Sequence, residues 1–235
     1  AALAGRITAL LAAFLPMRRE VLRARQRRIA RVHSRRFMQD DLLQLLAGRR
    51  GHFQMESGYH SELWFKLDAL FEHPPRLRPF VSELARRLAA QHIDAVCGPM
   101  TGGAKLAEMI STELGIEYFC TERFEQPAAT GFFPVKYLIP AARRETVRDK
   151  RVAIVDAAVS AGSAARGTYA DLVACGARPV ALGALFVFGE AMARFAKEKN
   201  LALEGITQMS FGMWPPAECP LCKAGAALEK VSDTA

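Results

Sequence analysis

The chain has 235 residues, 51% of them hydrophobic and 24% charged, with five cysteines and a formal charge of +8. That length suits one α/β domain with a sizeable core, and no apolar run is long enough to span a membrane. An odd cysteine count in a domain this large favours a reducing cytoplasm over a disulfide-stapled secreted fold.

The charge is uneven along the chain. Residues 1–37 hold ten arginines and one acid, a net +9, which leaves −1 for everything after them. Such a leader reads as a basic membrane-surface or nucleic-acid arm, as a targeting peptide, or as upstream sequence with Met38 the natural start. The third reading is the expectation here, with the folded domain at 38–235. The leader is too short for a helix-turn-helix or winged-helix module, so nucleic-acid binding is not expected.

Asp40 to Leu46 reads as a short helix with an acidic cap. Pro74 and Pro75 precede a helical pattern through Leu77, Phe80, Leu84 and Leu88. Ile93 to Cys97 is a strand, Ala104 to Leu114 a helix, and Ile116 to Thr121 a strand. Phe132 to Leu138 reads as a β-arm bounded by Gly131 and Pro140. Val152 to Asp156 is the central strand, followed by a helix over Ala164 to Cys175 that Gly176 ends. Val180 to Phe188, Ala191 to Lys197 and Ile206 to Phe211 complete a strand–helix–strand series. Strands alternating with helices predict βαβ units and a mainly parallel sheet flanked by helices.

The most informative stretch is Val152 to Thr168. An apolar strand meets Asp156, then the small-residue loop Ser160-Ala161-Gly162-Ser163-Ala164, then a helix. That order gathers unpaired backbone N–H groups and a helix N-terminus into a phosphate cradle, to which Ser160 and Ser163 add hydroxyls. The Gly-Lys-Ser/Thr ending of an ATP-type loop is missing. By itself the stretch fits an ordinary strand, turn and helix equally well. A second strand–loop–helix unit, Ile93 to Ala107 with Thr101, Gly102 and Gly103 in its loop, makes the pair more specific than either alone.

The Val152–Thr168 stretch resembles the ribose-5-phosphate loop of the type I phosphoribosyltransferases. Phe53 to Phe65, which contains Ser57, Gly58, His60 and Ser61, is similar to the early Ser-Gly-x-x-Ser segment of the orotate phosphoribosyltransferases. The resemblance covers roughly residues 38–235. It implies the family fold with a small hood, and it implies formation of orotidine 5′-phosphate and diphosphate from orotate and phosphoribosyl diphosphate. It also implies Mg2+ carried mainly by the diphosphate, and a homodimer. Another base, or a nucleotide sensor that has lost catalysis, are the alternatives.

On this resemblance Asp156 contacts the ribose hydroxyls and Ser160 to Ala164 hold the 5-phosphate. Thr101, Gly102 and Gly103 take the diphosphate, and Ser57, Gly58 and His60 line the substrate site. Arg123 and Lys136 are the catalytic-loop candidates, although for Lys136 a solvated face is the stronger reading. Ala157 stands where the family places a second acidic residue, and this predicts weakened ribose binding that Ala157→Asp would partly restore. Cys219-Pro220-Leu221-Cys222 is half a zinc site without a second cysteine pair, so it is expected to be packing and no protein-held metal is expected. Trp64 and Phe65 are expected in the core or at a dimer contact.

Overall fold

In the computed structural model, residues 40–100, 102–125 and 131–231 are described. The chain divides into two compact units, residues 1–41 and 42–235. Of the first unit only Asp40 and Asp41 are described, both helical and exposed. The expectations for residues 1–37 and for a start at Met38 lie outside the described residues. The account below concerns the second unit.

Two sheets form it. In chain order the elements begin with β1 (Ala47–Gln54), β2 (His60–Lys66), α1 (Pro74–Ala89), β3 (Ala95–Pro99) and α2 (Gly102–Leu114). Next come β4 (Glu117–Glu125), β5 (Val135–Leu138), β6 (Arg151–Val159), α3 (Ser163–Ala174) and β7 (Arg178–Phe188). The chain finishes with α4 (Ala191–Glu198), β8 (Ala202–Met209), β9 (Met213–Trp214), α5 (Pro220–Lys223) and β10 (Glu229–Lys230).

The larger sheet has the order β5-β4-β3-β6-β7-β8 and is parallel except for β5, which runs antiparallel to β4. Its central strands are buried on both faces, so they read as continuous apolar runs with no alternation. On one face Cys97, Ile154 and Leu182 pack with Leu172 of α3 and Phe195 of α4. On the other, Leu88 of α1 presses so close to Gly183 that a Cβ there would lie 2.9 Å from its Cδ1. The smaller sheet, order β10-β1-β2-β9, is the hood. It joins an early hairpin to two short strands from the C-terminal tail.

The strands and helices predicted after Pro74 are all present, with no end shifted by more than four residues. The last expected strand differs most. Its pairing with β7 runs over Ala202–Met209 and stops before Phe211, because Phe211 turns to meet Phe65 of the hood edge-on. Helical structure near the start stops at residue 43, short of the expected Leu46. The hood hairpin was not foreseen as strands. Arg49, Arg50 and Gly51 look like a loop in sequence, and exposed positions of β1 acquire their role only by pairing with β2 and β10.

Candidate active site

The strand order reverses direction at β3 and β6, which lie side by side with Cys97 opposite Ile154. Open α/β sheets bind ligands outside the carboxyl ends of the strands at such a switch point. Both glycine-containing loops noted in the sequence leave from these two ends. They are close in space, since a Cβ on Gly102 would lie 3.4 Å from that of Ala157.

At the end of β6 the chain turns through Gly162, whose φ of +82° lies in the left-handed region, directly into α3. A Cβ here would run into the sulfur of buried Met192, so glycine is required by conformation and by space. The turn leaves the first N–H groups of α3 without acceptors of their own helix, which is the anion-binding end of a helix. Ser163 Oγ, at its first residue, is buried without a hydrogen-bond partner. A buried hydroxyl left unpaired costs about 1–3 kcal/mol unless a ligand satisfies it.

A cleft opens over this loop, and Glu56, Ser57, Tyr137, Asp156, Ser160 and Ser163 contribute to its wall. Asp156 Oδ1 accepts a hydrogen bond from the Ala157 N–H at 2.8 Å, which helps fix the carboxylate. Glu56 bridges the hood to the large sheet: it accepts from Tyr137 Oη at 2.8 Å and from Arg123 Nε at 2.8 Å. Burial first, and then the Glu56 charge, push the Tyr137 phenol well above its ordinary range, so it stays a neutral donor. Hydrogen bonds to Glu56 and Glu125 hold Arg123 firmly protonated.

A second hollow adjoins the cleft, sharing Met55, Ala158 and Ser160 with it. Its wall is aromatic. Phe65 stacks on Phe188 at 5.1 Å, and Phe211 meets both rings edge-on. Trp64 lines the same hollow, and its indole Nε1 is buried without an acceptor. Trp64 and Phe65, expected as core or dimer residues, therefore face a pocket. Glu56, Tyr137, Phe188 and Phe211 were not foreseen at all. Only Tyr137 had a sequence signal, as an aromatic residue in the expected β-arm.

Asp156, Ser160, Gly162, Ser163, Ala164 and Ser57 all line the cleft, and Ala161 is buried beneath the loop. Gly58, at φ +84°, sits at the hood turn beside Phe132. Thr101, and residues 126–130 between the catalytic-loop candidates Arg123 and Lys136, lie outside the described residues. Arg123 is engaged by Glu56 and Glu125 and does not line the cleft. Lys136 is exposed on β5; because Tyr137 faces the cleft, strand alternation turns Lys136 away from it. His60 is also absent from both walls, because its ring packs against His52 and Cys222 instead.

Gly98 and Gly103 are required by packing. A Cβ on Gly98 would collide with the Gly103 carbonyl and lie 2.7 Å from the Ala104 nitrogen. One on Gly103 would sit 2.8 Å from the Val155 carbonyl oxygen. These two glycines let α2 rest directly on β3 and β6, while a Cβ on Gly102 would make only ordinary contacts, with Ala157 and Phe71.

The expectation for Ala157 also changes. Neighbouring strand residues point to opposite faces, and while Asp156 lines the cleft, Ala157 is 0% exposed on the side of Gly102. A carboxylate at 157 would enter a sealed site beside α2 and would not reach over the ribose. Ala157→Asp is thus expected to lower stability by about 1–3 kcal/mol. Its affinity for phosphoribosyl diphosphate should change by less than about threefold. Calorimetry and urea unfolding check both, and a tenfold gain in affinity would refute this placement.

No protein-family model matches the chain. A curated orotate phosphoribosyltransferase of Heliobacterium modesticaldum is 31% identical over 182 residues, covering 74% of this chain and 85% of that protein. An adenine phosphoribosyltransferase of Rhodothermus marinus shares the fold with TM-score 0.58 at 15% identity, over 74% of this chain and 99% of the other. An orotate phosphoribosyltransferase from Aeropyrum pernix does so at 0.54 and 16%, over 74% and 93%. The hood, the switch-point loops and this sequence identity agree, and the chain belongs to the type I phosphoribosyltransferase family.

Proposed function

We propose that this chain transfers the phosphoribosyl group of phosphoribosyl diphosphate to orotate, releasing diphosphate. The observation that carries phosphoribosyl binding is the unpaired Ser163 hydroxyl beside left-handed Gly162, at a helix start facing the carboxyl ends of β3 and β6. The choice of orotate is supported by the name of the 31%-identical relative.

In this reading Ser160, Ser163 and the first N–H groups of α3 hold the 5-phosphate. Asp156 accepts hydrogen bonds from the ribose hydroxyls and places negative charge beside the ring as positive charge builds at the anomeric carbon. The open Gly102 backbone meets the diphosphate. Tyr137 and Glu56 close the cleft from the hood side and limit water access. The described cleft wall carries two carboxylates, Glu56 and Asp156, and no cation, which fits a substrate that brings magnesium with it. Bound on the diphosphate, magnesium would supply the countercharge for the leaving group. A cytoplasmic homodimer is part of the same proposal, and light scattering tests the dimer.

One observation favours a second reading. Among the described residues, the aromatic hollow beside the cleft has no cationic side chain to meet a carboxylate, and its buried Trp64 N–H suits a carbonyl of an uncharged base. Residues 38–235 should be purified and offered phosphoribosyl diphosphate and Mg2+ with orotate, uracil and adenine in parallel. Loss of orotate absorbance that requires both additions supports the first reading. Turnover of a neutral base alone supports the second, and binding without turnover of any base points to a sensor. Failure to bind phosphoribosyl diphosphate in calorimetry would sink all three.

A further inference from the structure

The Cys-x-x-Cys motif of the tail and two histidines of the hood, more than 150 residues away in sequence, converge on one point. Cys219 caps the single turn of α5 and Cys222 lies within it, and both sulfurs reach His52 Nε2. The pairing of β1 with β2 shifts register between Arg50 and Phe53. That irregularity leaves Gly51 and His52 without ladder partners and lets the His52 ring meet His60 at the start of β2.

The four ligand atoms, His52 Nε2, His60 Nδ1, Cys219 Sγ and Cys222 Sγ, all lie within 4.8 Å of one another. His52 Nε2 is 3.1 Å from His60 Nδ1, 3.4 Å from Cys219 Sγ and 3.6 Å from Cys222 Sγ. Cys222 Sγ is 3.2 Å from His60 Nδ1. Hydrogen bonding does not account for this arrangement. An imidazole nitrogen carries one proton or one lone pair, and here one nitrogen faces three groups at once. A common central ion does account for it. Zn–N bonds of 2.0–2.1 Å and Zn–S bonds of 2.3 Å place neighbouring tetrahedral ligand atoms about 3.3–3.8 Å apart.

The surroundings match a metal ligand set. His52 Nδ1 is 2.9 Å from the Ala226 carbonyl oxygen, which accepts the Nδ1 proton and leaves the Nε2 lone pair for the centre. Cys219 is fully buried, and His52 and His60 are each 5% exposed. Two thiolates would cancel the charge of a divalent ion, so the centre could be buried without a net charge.

We propose that His52, His60, Cys219 and Cys222 form a closed tetrahedral zinc site that fastens the C-terminal tail to the hood. Two sulfurs and two imidazole nitrogens select zinc, and four protein ligands leave no open position, so the role is structural. The site is separate from the cleft. Its mechanical consequence is specific: the hood hairpin would be marginal alone, and both of its outer partners, β9 and β10, come from the tail that the ion would hold. β9 also brings Met213 to the aromatic hollow, so zinc supports that wall from behind.

The test uses the full chain, expressed without a histidine tag in zinc-supplemented medium and purified under reducing conditions. Elemental analysis should find about one zinc per chain, and cobalt exchanged into the site should give the thiolate charge-transfer and tetrahedral d–d bands of a two-sulfur centre. Cys222→Ser, at the exposed ligand, and His52→Ala should each lower zinc content to below about a tenth per chain, while Cys120→Ser keeps it. Chelator treatment should accelerate amide exchange in 213–231 and 47–66 and leave β6 and β7 protected, a readout independent of any base or turnover. Zinc-free wild-type protein with a protected tail, a Cys219–Cys222 disulfide in its place, or unchanged zinc in Cys222→Ser would each overturn the proposal.

Discussion

Gly98→Ala should prevent stable folding, whereas Gly102→Ala, four residues on, should fold and lose its ligand. At Gly98 the new methyl would strike the backbone of Gly103 and Ala104, and no rotamer change can relieve a backbone contact. Either α2 lifts from β3 or β3 leaves its place between β4 and β6, and the core shared by these elements opens. A cost above about 4 kcal/mol is expected, enough to exhaust much of the stability of a domain this size. At Gly102 the same methyl meets Ala157 Cβ at 3.4 Å and Phe71 Cε2 at 3.6 Å, which are ordinary contacts. Alanine also favours a helix start more than glycine does, so stability should change by less than about 1 kcal/mol. The methyl points toward Ala157 and not into the cleft, but it would restrict the backbone at the start of α2 that the proposed reading gives to the diphosphate, and calorimetric affinity for phosphoribosyl diphosphate should fall at least about tenfold. Urea midpoints of the two variants check the first half of this contrast. Equal stabilities would show that the Gly98 approach is not tight.

Asp156→Asn should reduce kcat/KM for phosphoribosyl diphosphate by roughly a hundredfold to ten-thousandfold. Each charge-assisted hydrogen bond to a ribose hydroxyl is worth about 1.5–3 kcal/mol, and two hydroxyls are within the reach expected of this carboxylate. The asparagine oxygen can still accept from the Ala157 N–H, so the end of β6 should keep its shape and the unfolding midpoint should hardly move. KM for the base should stay near the wild-type value, because the aromatic hollow is built from other residues. A loss below tenfold would remove Asp156 from the ribose.

These expectations rest on an alternation that was legible in the sequence but was not used there. Asp156 and Ala157 are adjacent letters, and the resemblance treats them as a pair over one ribose. On a strand they belong to opposite faces, and the sheet decides which face opens to the cleft. The same rule removes Lys136 from the site and brings in Tyr137. Arg123 is a catalytic-loop candidate in the sequence, and its partners Glu56 and Glu125 could be known only once the hood was placed over β4.

What the sequence determined by itself was local. Apolar runs long enough for buried strands, small-residue loops at their ends and helix patterns after them are encoded within windows of about twenty residues. They were enough for the parallel sheet and for the small-residue loop Ser160–Ala164 that leads into α3. The tertiary structure decided whatever depends on distant segments meeting. β1 has an arginine-rich, loop-like sequence and becomes a strand because β2 and β10 supply its hydrogen bonds and Glu229 its counter-charge for Arg49. Cys219 and Cys222 looked like half a metal site because their partners are histidines from a hairpin near the other end of the chain. Short-range periodicity carries no record of such a meeting, and it exists only after the hood has folded and the tail has closed upon it.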